Sequence, residues 1–303
     1  MIMKSILRLL GIMLLALGIW YFFVKGYNYR VSFTTNQSQG IVYDHLIRWN
    51  DGKSFRDSIV INLKKEPFSN ITQIYKFGDS LFKFDWYLKM IDENTTKVTV
   101  NTKDEHNSLI QNLLILSPQN HFKKKSIATV KKFGKSLLRN KENYNLHSVR
   151  DSIIPSQYCI YVSVESKASN KAQAMLKNIF YTMNYIKAYD EIQLTGQPFL
   201  EVTEWNIEKD SLKFDFCFPI KKLKEYPLMP PKVKIKETKE RKALKTIFNG
   251  NYKISDRAWF QLRDYARYHD IEVTNLPVEI YYNDPHNDVN PMDWVAEVFM
   301  PIE

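Results

Sequence analysis

"SLKFDFCFPI", ending at Ile220, and "WVAEVFMPI", ending at Ile302, read as one strand written twice, 82 residues apart. Each is preceded by another strand-like run, "PFLEVTEW" or "PVEIYYND", and before that by a helical stretch and a first strand. In the first copy these are "QYCIYVSVES" and a helix from about Ala168 to Tyr189; in the second, "KALKTIFNGNY" and a helix from about Ser255 to His269. A β-α-β-β unit cannot bury its apolar face alone. Two copies therefore imply one domain of pseudo-twofold symmetry, with two sheets meeting and a groove at their junction. "KKLKEYPLMPPKVK" joins the copies, its Pro227, Pro230 and Pro231 discouraging regular structure.

The start of the chain obeys a different constraint. Leu9 to Val24 is apolar, and with Ser5 to Leu7 it reaches the roughly 20 residues a helix needs to cross a bilayer. Arg8 can snorkel to one interface, and Trp20, Tyr21, Phe22 and Phe23 crowd the other end as an aromatic belt does. A cleaved signal peptide is the competing reading. Tyr21 to Tyr27 is bulky, however, and offers no small-x-small cleavage site, which favours an uncleaved anchor over residues 1–26 that meets the membrane through residues 5–24. The Met1 amine, Lys4 and Arg8 precede the span while Lys25 and Arg30 follow it, a slight bias toward a cytoplasmic N-terminus with the folded part outside the cytoplasm.

After the anchor come a strand, "NYRVSFT", and a helix that begins near "TNQSQ" and ends at "WNDGKS". The strands "SIVINLK", "ITQIYKFGD", "SLFKFDWYLKMID" and "TTKVTVNTKDE" follow. A long helix from about Pro118 to Glu142 then carries Phe122, Ile127, Val130, Phe133, Leu137 and Leu138 on one stripe. This order, carried by "VSFTTNQSQGIVYDHLIRWND" and "FDWYLKMIDENTTKVTV", resembles the START-like (SRPBCC) superfamily over residues 27 to about 145, here taken as a 27–150 domain. The resemblance implies a helix and curled sheet enclosing an apolar cavity, small or filled in a module of this size.

Composition narrows the function. With 44% apolar and 14% aromatic residues the chain has the means for packed cores. Its net charge of +10 is spread over runs such as "FKKKS" and "KETKERKALK" with no reading helix or zinc-finger spacing, so nucleic acid is not expected as a partner. Cys159 and Cys217 are too few for a disulfide framework, and the six histidines, His286 among them, show no ligand-like pairing. No metal and no cofactor are expected.

"PVEIYYNDP" followed by "DWVAEVFMPIE" gives a Glu-x-Tyr strand, an Asn-Asp-Pro turn and a final acid-x-aromatic strand ending in Pro-Ile. With the repeat, these residues resemble the GyrI-like, or AraC-type effector-binding, domain over residues 151–303. The fold class expected is thus α+β: a transmembrane helix, a START-like helix-grip domain and a tandem β-α-β-β domain. The resemblance implies a concave face that binds amphipathic, often cationic aromatic compounds, usually beside a DNA-binding domain; some stand-alone members are hydrolases of strained electrophiles. An anchor in place of a DNA-binding part argues against transcriptional regulation.

Strand parity places Val278, Ile280 and Tyr282 on one side of their strand, and Ala296, Val298 and Met300 on one side of the last. If those sets pack on the helices, Glu279, Tyr281, Glu297 and Phe299 face the groove. In the first copy Leu200, Val202, Phe214, Phe216 and Phe218 form the inner set, leaving Glu201 and Asp215 on the other face. Four carboxylates would then converge and could take a ligand ammonium, with Tyr281 or Phe299 stacking on it. Tyr161, Tyr252 and Trp259 are candidate walls. Each acid could equally be a surface residue paired with a lysine. The expected function is capture of a small amphipathic ligand, cationic ones included. Two alternatives stay open: a hydrolase using Glu279 or Glu297 as base beside Tyr281, and an interaction scaffold whose cavities are filled.

Overall fold

A computed structural model describes residues 2–49, 60–285 and 290–303. The residues of "WNDGKS" after Trp49, and His286, lie outside them. The chain forms two compact units. The first comprises Met1–Gln37, Val42–Ile91 and Thr95–Leu137; the second comprises Ser38–Ile41, Asp92–Asn94 and Leu138–Glu303.

Helix α1 (Ile2–Ile19) runs on through a π-helical stretch, Trp20–Val24. Met3–Val24 is long and apolar enough to cross a membrane, by length and composition. Strand β1 (Tyr29–Thr35) and helix α2 (Gln39–Trp49) follow, then the meander β2 (Val60–Glu66), β3 (Asn70–Phe77), β4 (Ser80–Asp92) and β5 (Thr95–Asp104). The five strands form an antiparallel sheet in the order β1-β5-β4-β3-β2. A short helix, α3 (Ser108–Leu114), precedes the long helix α4 (His121–Lys141).

Alternation along β4 turns Phe82, Phe84, Trp86 and Leu88 inward, and helical spacing along α4 turns Phe122, Val130, Phe133 and Leu137 to meet them. Phe133 lies at the centre, its ring 5.0 Å from Trp86, 5.3 Å from Trp49 and 5.7 Å from His45. Rings therefore fill the space beneath α4 around Phe133. A cavity of about 340 Å³ lies nearer the α3–α4 connection, among Phe82, Asp104, Gln111, Asn120 and Phe122.

The second unit opens with β6 (Tyr144–Leu146) and β7 (Arg150–Ile154). Its first half runs β8 (Tyr158–Lys167), a 3₁₀ turn Ala168–Asn170, α5 (Lys171–Ala188), β9 (Phe199–Asn206) and β10 (Ser211–Pro219). After β11 (Lys234–Glu237) the same order returns: β12 (Arg241–Gly250), a 3₁₀ turn Tyr252–Ile254, α6 (Asp256–Tyr268), β13 (Val278–Tyr281) and β14 (Val295–Pro301). Gly250 permits the second turn. Its φ is +148°, and a Cβ there would meet the Phe248 ring at 2.8 Å.

The two halves do not form two sheets that face each other. Strands β9 and β13 pair directly, Glu279 opposite Leu200 and Ile280 opposite Phe199, so a single nine-stranded sheet results in which the path runs β11-β8-β10-β9-β13-β14-β12-β6 and β7 pairs with β12. The expected groove between two sheets is replaced by a continuous ladder, because the edges of the two halves satisfy one another's backbone groups. The sheet then closes on itself. Strands β11 and β12 are consecutive in the chain, and they pair with β8 and β7, which are also consecutive. That ribbon links the two ends of the sheet and encloses a small second core of Ile154, Cys159, Phe199, Cys217, Ala243, Val278 and Phe299. The larger core lies on the opposite face, beneath α5 and α6.

Candidate functional site

Antiparallel partners share a face of the sheet. Glu279 pairs with Leu200 and Val298, and Tyr281 with Ala296, all of which belong to the core beneath the helices. Val278 pairs with Phe299 and Ile280 with Glu297, which puts these four on the enclosed face. The parity expected for β13 is therefore inverted: Glu279 and Tyr281 face the helices, whereas Glu297 and Phe299 face the other way. The reason is the second core. Val278 and Ile280 have an apolar destination inside the closed sheet, so the helix-facing positions of this strand fall to the acid and the phenol.

Glu279 is 0% exposed, and both its oxygens are occupied. Lys171, 1% exposed at the start of α5, donates from Nζ to Oε1 at 2.5 Å. Tyr281 donates to Oε2 at 2.5 Å, and the Ser255 hydroxyl lies 2.7 Å from the same oxygen. Lys171 Nζ also donates to Ser255 Oγ at 2.7 Å and sits 4.5 Å from the centre of the Trp259 ring. The ammonium is thus held by a carboxylate, a hydroxyl and an indole face, the elements of a cation site. Burial pushes the Tyr281 phenol well above its ordinary pKa, and the carboxylate beside it adds to the rise, so the phenol remains a donor. Tyr252 packs on Tyr281 with ring centres 4.8 Å apart, and Trp205 packs on Trp259 at 5.2 Å.

Lys171 and Ser255 occupy corresponding places. Each is the residue that follows the 3₁₀ turn at the head of its helix, 84 positions apart. Sequence reasoning passed over both. The near-equality of that offset with the 82 residues between the repeated strands is the signal the sequence carries, since the same order of elements returns at that spacing.

The remaining candidates assemble elsewhere. Glu201 and Asp215 are opposite one another on β9 and β10, bridged by Lys236, whose Nζ lies 2.7 Å and 2.6 Å from their oxygens. Arg241 also pairs with Glu201, and Tyr161 carries Lys236 over its ring at 4.7 Å. Burial alone would raise the Glu201 carboxyl, but the hydrogen bonds and charges of Lys236 and Arg241 outweigh it and hold the pKa below the usual range. Glu297 pairs with Lys245 at 2.5 Å and accepts from Tyr282, and Lys245 lies 5.2 Å from the Phe299 ring centre. The four carboxylates accordingly do not converge. Each is paired with a basic group, Glu201 and Asp215 sharing Lys236, and Glu297 cannot serve as a base beside Tyr281, which faces the other way. Burial pushes the Cys217 thiol well up, which disfavours a nucleophilic thiolate. Among the described residues no group of three His, Cys, Asp or Glu could hold a metal ion.

No protein-family model and no curated relative matches the chain. Among solved structures it is similar to the EcmrR C-terminal domain, at a TM-score of 0.44 and 19% identity, covering 52% of this chain and 97% of that one. It is also similar to a hydrolase from Listeria innocua, at 0.35 and 11% over 51% and 92%. The structure of SAV2435 bound to tetraphenylphosphonium matches at 0.34 and 12% over 52% and 94%. Likeness at this level does not assign the chain to a family.

Proposed function

We propose that residues 151–303 form a GyrI-like effector-binding domain with pseudo-twofold halves, and that it captures a small amphipathic cation at Glu279. The observation that carries this reading is the cage itself. A fully buried carboxylate, a hydroxyl and an indole face surround an ammonium that belongs to the chain's own Lys171. A buried carboxylate is costly unless paired, so whatever displaces Lys171 must bring a positive charge. Stacking on Trp259 adds roughly 0.5–2 kcal/mol for such a group. Tyr252, Trp205 and Tyr281 supply the apolar surroundings that an amphipathic ligand needs, and binding proceeds by exchange of one cation for another.

On this reading Glu279, Tyr281, Trp259 and Tyr252 contact the ligand. Glu201, Asp215, Tyr161, Glu297 and Phe299 stabilise the closed sheet and lie outside the site. Residues 27–150 are a START-like module, and residues 1–26 anchor the chain with its N-terminus in the cytoplasm and both modules outside. Neither nucleic acid nor a cofactor enters this reading.

The completeness of the Lys171–Glu279 pair favours a second reading, an interaction scaffold in which the pair is permanent. A thermal-shift screen of the full chain against cationic, neutral and anionic aromatic dyes separates the two. Capture predicts stabilisation by cations alone, larger in Lys171→Met and lost in Lys171→Met/Glu279→Gln. A permanent pair predicts no shift with any class in any of the three proteins.

A further inference from the structure

Helix α3 is amphipathic in the wrong sense for water. Its buried side chain is Asn112, 6% exposed, whereas Leu109, Ile110, Leu113 and Leu114 are 50–67% exposed and Leu116, just beyond it, is 87% exposed. Positions 109, 110, 113 and 114 are related by three- and four-residue steps, so these side chains make one continuous apolar surface. The inward Asn112 accepts from Asn28 Nδ2 at 2.8 Å, and the same nitrogen donates to the Ser108 carbonyl at 2.7 Å. Polar contacts fix the helix in place, with its leucines turned outward.

The neighbour of α3 identifies what the leucines meet. Tyr21, in the last turn of the apolar N-terminal segment, donates to the Asn112 carbonyl at 3.0 Å. Trp20, Phe23 and Val24 of that turn are themselves at least half exposed. Around the junction Lys25 lies over the rings of Tyr21 and Tyr27, Arg30 over Tyr27, and Lys123 over Tyr29. Aromatic rings interleaved with basic groups at the end of an apolar helix make the composition of a membrane interface, where amphipathic side chains have their apolar part in lipid and their charge among headgroups. The aliphatic face of α3 continues that level.

We propose that α3 is a membrane-docking helix whose Leu109, Ile110, Leu113, Leu114 and Leu116 insert into the interface of the bilayer that Met3–Val24 spans. The inference rests on the reading of Met3–Val24 as a span. It makes the first unit a body held to the lipid surface at two adjoining places, so that this unit cannot swing freely about a single anchor.

The test is site-directed spin labelling of the full chain in liposomes, with single Leu113→Cys, Leu116→Cys, Met13→Cys and Lys97→Cys variants. All four sites are exposed, and the native Cys159 and Cys217 are buried. Met13 reports the span; Lys97, on β5 seven residues from Asp104, reports water. Docking predicts that the ratio of oxygen to nickel-chelate collisions at 113 and 116 approaches that at 13 and exceeds that at 97 several-fold. Lipid exposure at 13 with water exposure at 113 and 116 would overturn the docking and leave the anchor standing. Water exposure at 13 as well would overturn both.

Discussion

Replacing Lys171 by Met removes the charge from the Glu279 cage while retaining all but the last atom of the side chain's length. Both partners are essentially inaccessible, and their atoms are 2.5 Å apart. Removing one member of such a buried pair costs about 3–5 kcal/mol, because the remaining charge stays buried with too few partners. Ser255 and Tyr281 still contact Glu279, which places the Lys171→Met cost toward the lower end. Glu279→Gln leaves the Lys171 ammonium facing Trp259 and Ser255, at about the same cost. The double variant carries no buried charge and lies within about 1 kcal/mol of the unaltered protein or above it in stability, which implies a coupling of about 5 kcal/mol or more. Native-state hydrogen exchange at the amides of β13 and β14 reads the second unit by itself. The single variants should lose about two to three orders of magnitude in protection, with recovery in the double. Single losses of less than about tenfold that simply add in the double variant would mean that the pair contributes no more than a surface salt bridge, contrary to its burial.

Tyr281→Phe removes a hydrogen bond to a buried carboxylate and should cost about 1.5–3 kcal/mol by the same exchange measurement. Glu201 has a folded pKa held below its unfolded value near about 4.3, so its contribution is present above that value and is lost as pH falls through the lower folded pKa. Glu201→Gln should therefore weaken the protein at neutral pH and flatten the acid limb of its stability profile, as acid unfolding curves of the two proteins would show. Phe133→Ala opens a cavity among Trp49, Trp86 and His45 and should destabilise the first unit by about 3–5 kcal/mol, visible as lost exchange protection along β4.

Periodicity made the strands and long helices legible. β4 occupies the residues of "SLFKFDWYLKMID" because four inward apolar side chains alternate with polar ones over most of its length. The repeated order of the second unit followed from its recurring strand endings. Parity failed on β13 for a physical reason. The reading assumed one core, whereas Val278, Phe299, Phe199 and Cys217 fill a second that exists only because β7–β8 and β11–β12 join the ends of the sheet. The ladder between the two halves was equally hidden, since "PFLEVTEW" and "PVEIYYND" carry no mark of which strand each will pair with.

Glu279 stands out in the sequence as an acid within a strand, but its partner is not visible there. Lys171 is 108 residues away in the chain, and among the chain's many lysines its type gives no indication that it is buried. Helix α3 escaped because it is seven residues long and its apolar residues, running on into Ile115 and Leu116, give no inward stripe. Tyr161 and Trp259 looked alike as candidate walls. Only the fold separates them, Tyr161 beneath Lys236 and Trp259 beneath Lys171.

Whether a ligand cation takes the place of Lys171 can be read from the reactivity of that one amine. The full chain would be treated with an amine-acylating reagent with and without a cationic aromatic dye such as rhodamine 6G, and the modified lysines mapped by mass spectrometry. Lys171 should be protected in the free protein and become reactive as the dye saturates, with no such change under a neutral dye. Dye binding that leaves Lys171 protected, or that is undiminished in Lys171→Met/Glu279→Gln, would contradict such a displacement.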